Sequence, residues 1–232
     1  PHQQMSRRDR PPLTVPRRLF VSADQRAFAN DDRPLPIRHA QTISAPHIHQ
    51  MTLHALRQTL ARTTRVPDEC HVLDVGCGSG YVVALMCDEL DRWVRTLHEP
   101  PAHVRVVGIE LVPELVRFAR RNVQRWLAQR RLHPCISWRC VRANGWKGYA
   151  KRQPYVFINV GAMADKRPQT LVDQLRAGER LLVPVNGDYV QLDKVGEGVH
   201  ERVLTGVRFV PLKHVKKRVR TRRIRATRRK PQ

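Results

Sequence analysis

Val72-Leu-Asp-Val-Gly-Cys-Gly-Ser-Gly-Tyr81 carries the clearest structural signal in this chain. A short apolar run ends in an acid, and three alternate glycines come after it. A buried parallel strand hands over to a tight turn in this way where its backbone must come close to a ligand, and glycine alone permits that approach. The pattern D-x-G-x-G-x-G differs from the dinucleotide fingerprint G-x-G-x-x-G. It also lacks the Lys-Ser/Thr that opens the helix of a P-loop. It points to a nucleoside ligand, with the helix from Tyr81 to Leu90 presenting its N-terminus to the site.

Upstream of it, apolar residues at Ile48, Met51, Leu53, Leu56 and Leu60 predict a helix between His47 and Thr64, broken at Val66-Pro67. Strands are expected at 71–75, 104–109, 136–141, 156–160 and 180–185. A helix is expected from Pro113 to about Gln129, with proline at its first position and Glu114 in its first turn. Residues 91–103, with Pro100-Pro101, read as an extended loop. Residues 170–175 read as the end of a helix, and 189–195 and 203–210 as antiparallel strands. Strand and helix alternate through most of the chain, which argues an α/β fold with a doubly wound, mostly parallel, Rossmann-like sheet.

The formal net charge is +23, from 43 Lys+Arg against 20 Asp+Glu, and the excess lies largely at the ends. Residues 213–232 carry cations and no acid, and residues 1–18 carry five Arg and one Asp. The organisation expected is a basic arm over 1–18, a domain over 19–212 and a basic tail over 213–232. Such a tail has too few apolar residues to fold alone and would order on a polyanion, with counterion release making the binding salt-dependent. Lys216, Lys217, Arg218, Arg220, Arg222, Arg223, Arg225, Arg228 and Arg229 are the candidate nucleic-acid contacts, with RNA, ribosomal RNA in particular, as the partner. The five cysteines form no C-x-x-C pair, and His47 and His49 have no third ligand at suitable spacing, so no metal is expected. A reducing intracellular compartment fits. The Arg-rich, acid-poor start would suit the remnant of a mitochondrial presequence. No apolar run reaches membrane-spanning length.

Glu110 closes the second expected strand, where a carboxylate can accept hydrogen bonds from both hydroxyls of a ribose. Asp74-Val-Gly-Cys-Gly-Ser-Gly80 followed by Gly108-Ile-Glu110 resembles the nucleoside site of class I S-adenosylmethionine-dependent methyltransferases. Asp32-Arg-Pro-Leu-Pro-Ile37 and Gln41-Thr-Ile-Ser-Ala-Pro-His-Ile-His49 are similar to the signature of the protein-L-isoaspartate O-methyltransferase family. So are Val112-Pro-Glu-Leu115, Pro154-Tyr155, Val160-Gly-Ala162, Leu171-Val-Asp-Gln-Leu175, Arg180-Leu-Leu-Val-Pro184 and Gly206-Val-Arg-Phe-Val-Pro-Leu212, in the family's order.

The resemblance implies a methyltransferase sheet with antiparallel C-terminal strands, and S-adenosyl-L-methionine as cofactor. It also implies methyl transfer to the free carboxylate of an isoaspartyl residue in a protein substrate. Asp74, Gly76, Gly78, Ser79, Gly80, Glu110, Asn144 and Gly145 would bind the cofactor. Ser44 would orient the reacting groups, Thr42 and Ile43 would shape the pocket, and Val210 would lie beside the bound peptide.

The chain departs from the family at several of these places. Ala143-Asn144-Gly145 stands for Gly-Asp-Gly, so a neutral amide replaces the acid that receives the adenine amino group, at a cost of about 1 kcal/mol in affinity. Asn159 stands for a histidine. Ile37-Arg-His-Ala40 stands for Ile-Gly-Tyr-Gly, Val156 for an aspartate, and Gly178-Glu179 for a Gly-Gly turn. With the basic tails, these changes keep a second reading open: a methyltransferase fold retained as a structural component of a ribonucleoprotein such as a ribosome.

Overall fold

The structure is a computed structural model that describes residues 11–62 and 68–215. A short hairpin, β1 (Leu35–Arg38) and β2 (Gln41–Ile43), precedes α1 (Pro46–Ala61). Next in the chain are β3 (Glu69–Val75), α2 (Tyr81–Val94), β4 (His103–Glu110), α3 (Pro113–Leu127), β5 (Ile136–Arg142) and β6 (Tyr155–Val160). A one-turn helix α4 (Gln169–Asp173) leads into β7 (Leu175–Val185), β8 (Asp188–Val195) and β9 (Gly198–Gly206). The seven-stranded sheet runs β5-β4-β3-β6-β7-β8-β9, parallel through β7 and antiparallel beyond it. The expected α/β fold with a mostly parallel sheet and antiparallel C-terminal strands is therefore present.

The order of strands is explained by burial. β3 and β6 are buried on both faces, as central parallel strands must be. Val72, Val104, Val106, Cys140 and Phe157 pack beneath α1, α2 and α3. Leu73, Val75, Val107, Ile109 and Ile158 face the opposite layer, made by α4, Trp146, Tyr149 and Leu212. Adjacent strands hold Asp74 beside Gly108 and Val75 beside Ile109, so the ends of β3 and β4 open on one side of the sheet.

Four boundaries differ from the sequence expectation. α2 runs past Leu90 to Val94, because Leu90 and Val94 continue the buried stripe and Arg92 and Arg95 pair with Asp88 and Asp91 one turn back. Leu175 starts a strand instead of ending a helix, its main chain lying opposite Tyr155. β9 begins at Gly198 and stops at Gly206, since the Gly196-Glu197 turn pairs Val195 with Gly198 and the Val207 amide bonds to the Gly187 carbonyl. Finally, residues 11–18, read as part of a basic arm, pack onto the domain. Val15 is buried, Tyr81 donates its hydroxyl to the Val15 carbonyl at 3.0 Å, and Thr14 bonds to Asp88. The apolar positions Val15, Phe20 and Val21 account for that docking.

Candidate active site

The glycine turn leaves β3 with Gly76, Gly78 and Gly80 all at positive φ, 77°, 50° and 83°. The Gly76 and Cys77 amides bond to the Ile109 carbonyl at 2.8 and 3.0 Å, which ties the turn to β4. At Gly80 a side chain would also meet the Ala119 main chain at 3.1 Å, so this glycine lets α2 start against α3. Ser79 is buried, and its carbonyl accepts from the Asn122 amide at 3.0 Å.

Glu110 reaches back across this turn. One carboxylate oxygen accepts the Leu111 and Val112 amides at 2.7 and 3.0 Å, and the other accepts Gly78 N–H at 3.2 Å. A carboxylate has about four acceptor positions, so capacity is left on the oxygen facing the turn.

Asp74 lies deeper. Its Oδ1 accepts from Asn159 Nδ2 at 2.8 Å, and its Oδ2 is buried with no partner. Burial pushes the carboxyl up to about 7, with the Asn159 hydrogen bond opposing and the Glu110 charge adding. Asn159 in turn accepts from Tyr189 and Thr52 hydroxyls at 3.2 and 3.3 Å. Nothing local in the sequence announces this buried chain. Asn159 stands out there only as a departure from the family, and Thr52 and Tyr189 lie far from it along the chain.

Two adjoining clefts share Thr42, Gly76, Gly78 and Gly161 as walls. The first holds Ile43, Ser44, His49, Asp74, Ser79 and Asn159. The second holds Glu110, Gly145, Val210 and Leu212. The Gln41–Ile43 strand and the start of α1 at Pro46 carry Ser44 to the rim of the first cavity. His49 is also buried there. Its ring stacks edge-on against Tyr81, its Nε2 has no partner, and burial lowers it to about 3, so the imidazole is neutral.

Residues 207–215 cross the second cavity as a strap. The Met163 amide donates to the Val210 carbonyl at 2.8 Å, and the Leu212 amide donates to the Met163 carbonyl at 2.7 Å. Trp146 Nε1 donates to the Leu212 carbonyl at 3.0 Å. A side chain on Gly145 would come within 2.6 Å of Leu212.

The structure thus gathers Thr42, Ile43, Ser44, Asp74, Gly76, Gly78, Ser79, Glu110, Gly145 and Val210 around one cleft, while Gly80, also expected at the cofactor, lies outside its lining and packs against Ala119. Asn144 stands beside it with its Oδ1 engaged, accepting the Trp146 amide at 3.0 Å as the cap of a short turn, while its neighbours Ala143 and Gly145 form the wall. The candidate nucleic-acid contacts from Lys216 to Arg229 lie outside the described residues.

Such a cleft can hold a nucleoside against the glycine turn and bring a second molecule to Ser44. A protein-L-isoaspartate O-methyltransferase of Methanothrix thermoacetophila is 40% identical over 202 residues, covering 85% of this chain and 83% of that protein. One from Hyperthermus butylicus is 37% identical over 206 residues, covering 86% and 78%. A Plasmodium falciparum crystal structure, described as a protein of the same kind in complex with S-adenosyl-L-homocysteine, superposes with a TM-score of 0.67 at 27% identity, covering 87% of each chain. The family model Protein-L-isoaspartate(D-aspartate) O-methyltransferase matches residues 12–217, and the chain belongs to that family.

Proposed function

We propose that this protein transfers a methyl group from S-adenosylmethionine to the free carboxylate of an isoaspartyl residue in a damaged protein. The observation that carries the reading is the cleft itself. A glycine turn without side chains lies between two acids, Glu110 with spare acceptor capacity and Asp74 with a buried unpaired oxygen, and Ser44 stands on the far wall.

These residues fit the cofactor. Glu110 is placed for ribose hydroxyls, Asp74 is an acceptor awaiting a cationic group, and Gly145 keeps the adenosine-side wall low. When bound, S-adenosylmethionine supplies a methyl group on an already activated sulfonium. The chain need not supply a strong base, because a substrate carboxylate is ionised near neutral pH. The neutral His49 and the raised Asp74 agree with a site that aligns reactants. The Ser44 hydroxyl donates to the substrate carboxylate and turns the attacking oxygen toward the methyl group, while the strap at Val210 guides the peptide.

The scaffold reading is not favoured. The departure at Asn159 is built into the site as the donor to Asp74, and a relative at 40% identity carries the methyltransferase name. The basic segment 216–232 supports RNA association on composition alone, as an attachment to an active enzyme, and five free cysteines support a reducing compartment.

The test is titration with S-adenosylmethionine and then methyl transfer to an isoaspartyl peptide, with the matching aspartyl peptide as control. Binding together with transfer to the isoaspartyl peptide alone is expected. Cofactor binding without transfer to either peptide would remove the proposed substrate, and absence of binding would restore the scaffold reading.

A further inference from the structure

Arg17 and Arg180 are both buried, but they use their donors differently. Arg180 neutralises Asp193 at 2.7 Å. Arg17 instead gives its guanidinium to main-chain carbonyls. Nη1 donates to Ala29 O at 2.8 Å and more weakly to Asp31 O at 3.5 Å; Nη2 donates to Arg33 O at 2.9 Å and to Ser44 O at 3.0 Å. The side chain enters from the short turn Arg17–Leu19, which is held down by Val15 and Phe20. One planar group therefore bolts the 29–33 loop to the residue at the rim of the cavity.

We propose that Arg17 is a positioning residue for the reaction, its guanidinium fixing the main chain at Ser44 and hence the aim of the Ser44 hydroxyl. This rests on the proposed methyl transfer. Ser44 sits between the end of β2 at Ile43 and the first turn of α1, where the Ala45 carbonyl accepts the Ile48 amide at 3.1 Å. The Ser44 carbonyl takes Arg17 Nη2 at 3.0 Å and also lies beside the buried His49 ring of α1. A lysine could not replace it, because an ammonium is a point donor and cannot reach divergent carbonyls with a rigid fork. None of Arg17's hydrogen bonds goes to β3, β4 or the strap, which build the Glu110 side of the cleft. Loss of the anchor therefore misaligns Ser44 and leaves the nucleoside pocket in place.

The experiment compares Arg17→Lys and Arg17→Ala with the unaltered chain in thermal unfolding, S-adenosylmethionine affinity, and kcat and KM on an isoaspartyl peptide. Guanidinium is then added at millimolar concentration, far below denaturing levels. A small misplacement of a reacting group costs about 10- to 100-fold. The expected result is a kcat lower by that factor in both variants, with cofactor affinity within about twofold of the unaltered chain. Guanidinium should restore Arg17→Ala in a saturable way and ethylammonium should not. Arg17→Lys, which keeps a buried cation, carries the comparison where the alanine variant fails to fold. An unchanged kcat in folded Arg17→Lys overturns the proposal. So does a parallel fall of melting temperature, cofactor affinity and kcat that guanidinium does not reverse. Absence of transfer by the unaltered chain is a separate result, which removes the proposed function and this role with it.

Discussion

Asp74 accepts one hydrogen bond, from Asn159, and keeps its second oxygen buried and unpaired. Burial is the largest influence on it and raises it from 3.8 to about 7. A carboxyl raised in the folded state contributes stability that is present below its unfolded value and is lost as pH rises through about 7. Asp74→Asn removes that linkage, so urea midpoints should decline less between about pH 4 and pH 7 in the variant than in the parent. A bound cationic group inverts the preference by favouring the ionised form. Cofactor binding should then release a proton below about pH 7, and affinity should climb with pH and level off above it. Calorimetry in two buffers of different ionisation heat reads that proton. A proton count unchanged in Asp74→Asn would show that another group responds. At Ser44 the effect belongs to the chemical step. Ser44→Ala should lower kcat on an isoaspartyl peptide by about 10- to 100-fold and leave the cofactor dissociation constant unchanged, because one oriented donor is lost and no cofactor contact with it.

The β1–β2 hairpin shows what an element pays for its sequence. Its turn places His39 and Ala40 at φ of 51° and 52°, the mirror-image turn that favours glycine or asparagine, and Arg38 before it lies at 112°. These are the positions where the family carries Gly-Tyr-Gly. Strain at Arg38 is worth about 1–3 kcal/mol, against the entropy that glycine adds to the unfolded chain and a distant cation–π contact with Phe118. Arg38→Gly should therefore stabilise the protein by about 1 kcal/mol, raising the melting temperature by roughly 2–4 °C. A lower melting temperature would show that the Phe118 contact outweighs the strain. Gly108 is the opposite case. A methyl group there would meet Val83 Cγ2 at 2.7 Å and the Cys77 side chain at 3.0 Å, beneath the glycine turn. Gly108→Ala should cost about 1–3 kcal/mol by overpacking and weaken cofactor binding together with stability. The turn, Glu110 and the Ser44 block are legible in the sequence because each is a local run of residues with one physical reading. Arg17 is not, because one of two adjacent arginines within Val15–Val21 reads as charge until its carbonyl partners, 12 to 27 residues away, are known. Nor is the local capping role of Asn144, since its oxygen could serve either a ligand or its own turn.

Across the whole molecule, the cleft is assembled from both ends of the chain. Residues 11–17 brace the Ser44 side, and residues 207–215 close the Glu110 side. The strap is tied at several points. Met163 holds it on either side of Pro211, Trp146 holds the Leu212 carbonyl, and His214 stacks on Trp146 at 4.5 Å and pairs with Asp165 at 2.9 Å. These ties all lie before Lys216, where the strongly basic segment begins. Deleting residues 216–232 should therefore leave the cofactor dissociation constant and kcat within about twofold of the parent, because every wall of the cleft remains. The same deletion removes ten Lys and Arg with no acid among them. Each phosphate neutralised by such a cation contributes about 0.7 to the slope of log affinity against log salt on single-stranded RNA. RNA affinity of the full chain should thus fall steeply with salt, and that of the truncated chain gently. Filter binding of a single-stranded RNA at several salt concentrations measures both slopes. Equal slopes would take the segment out of the binding footprint, and a loss of kcat on truncation would mean that the strap depends on the basic segment beyond Val215.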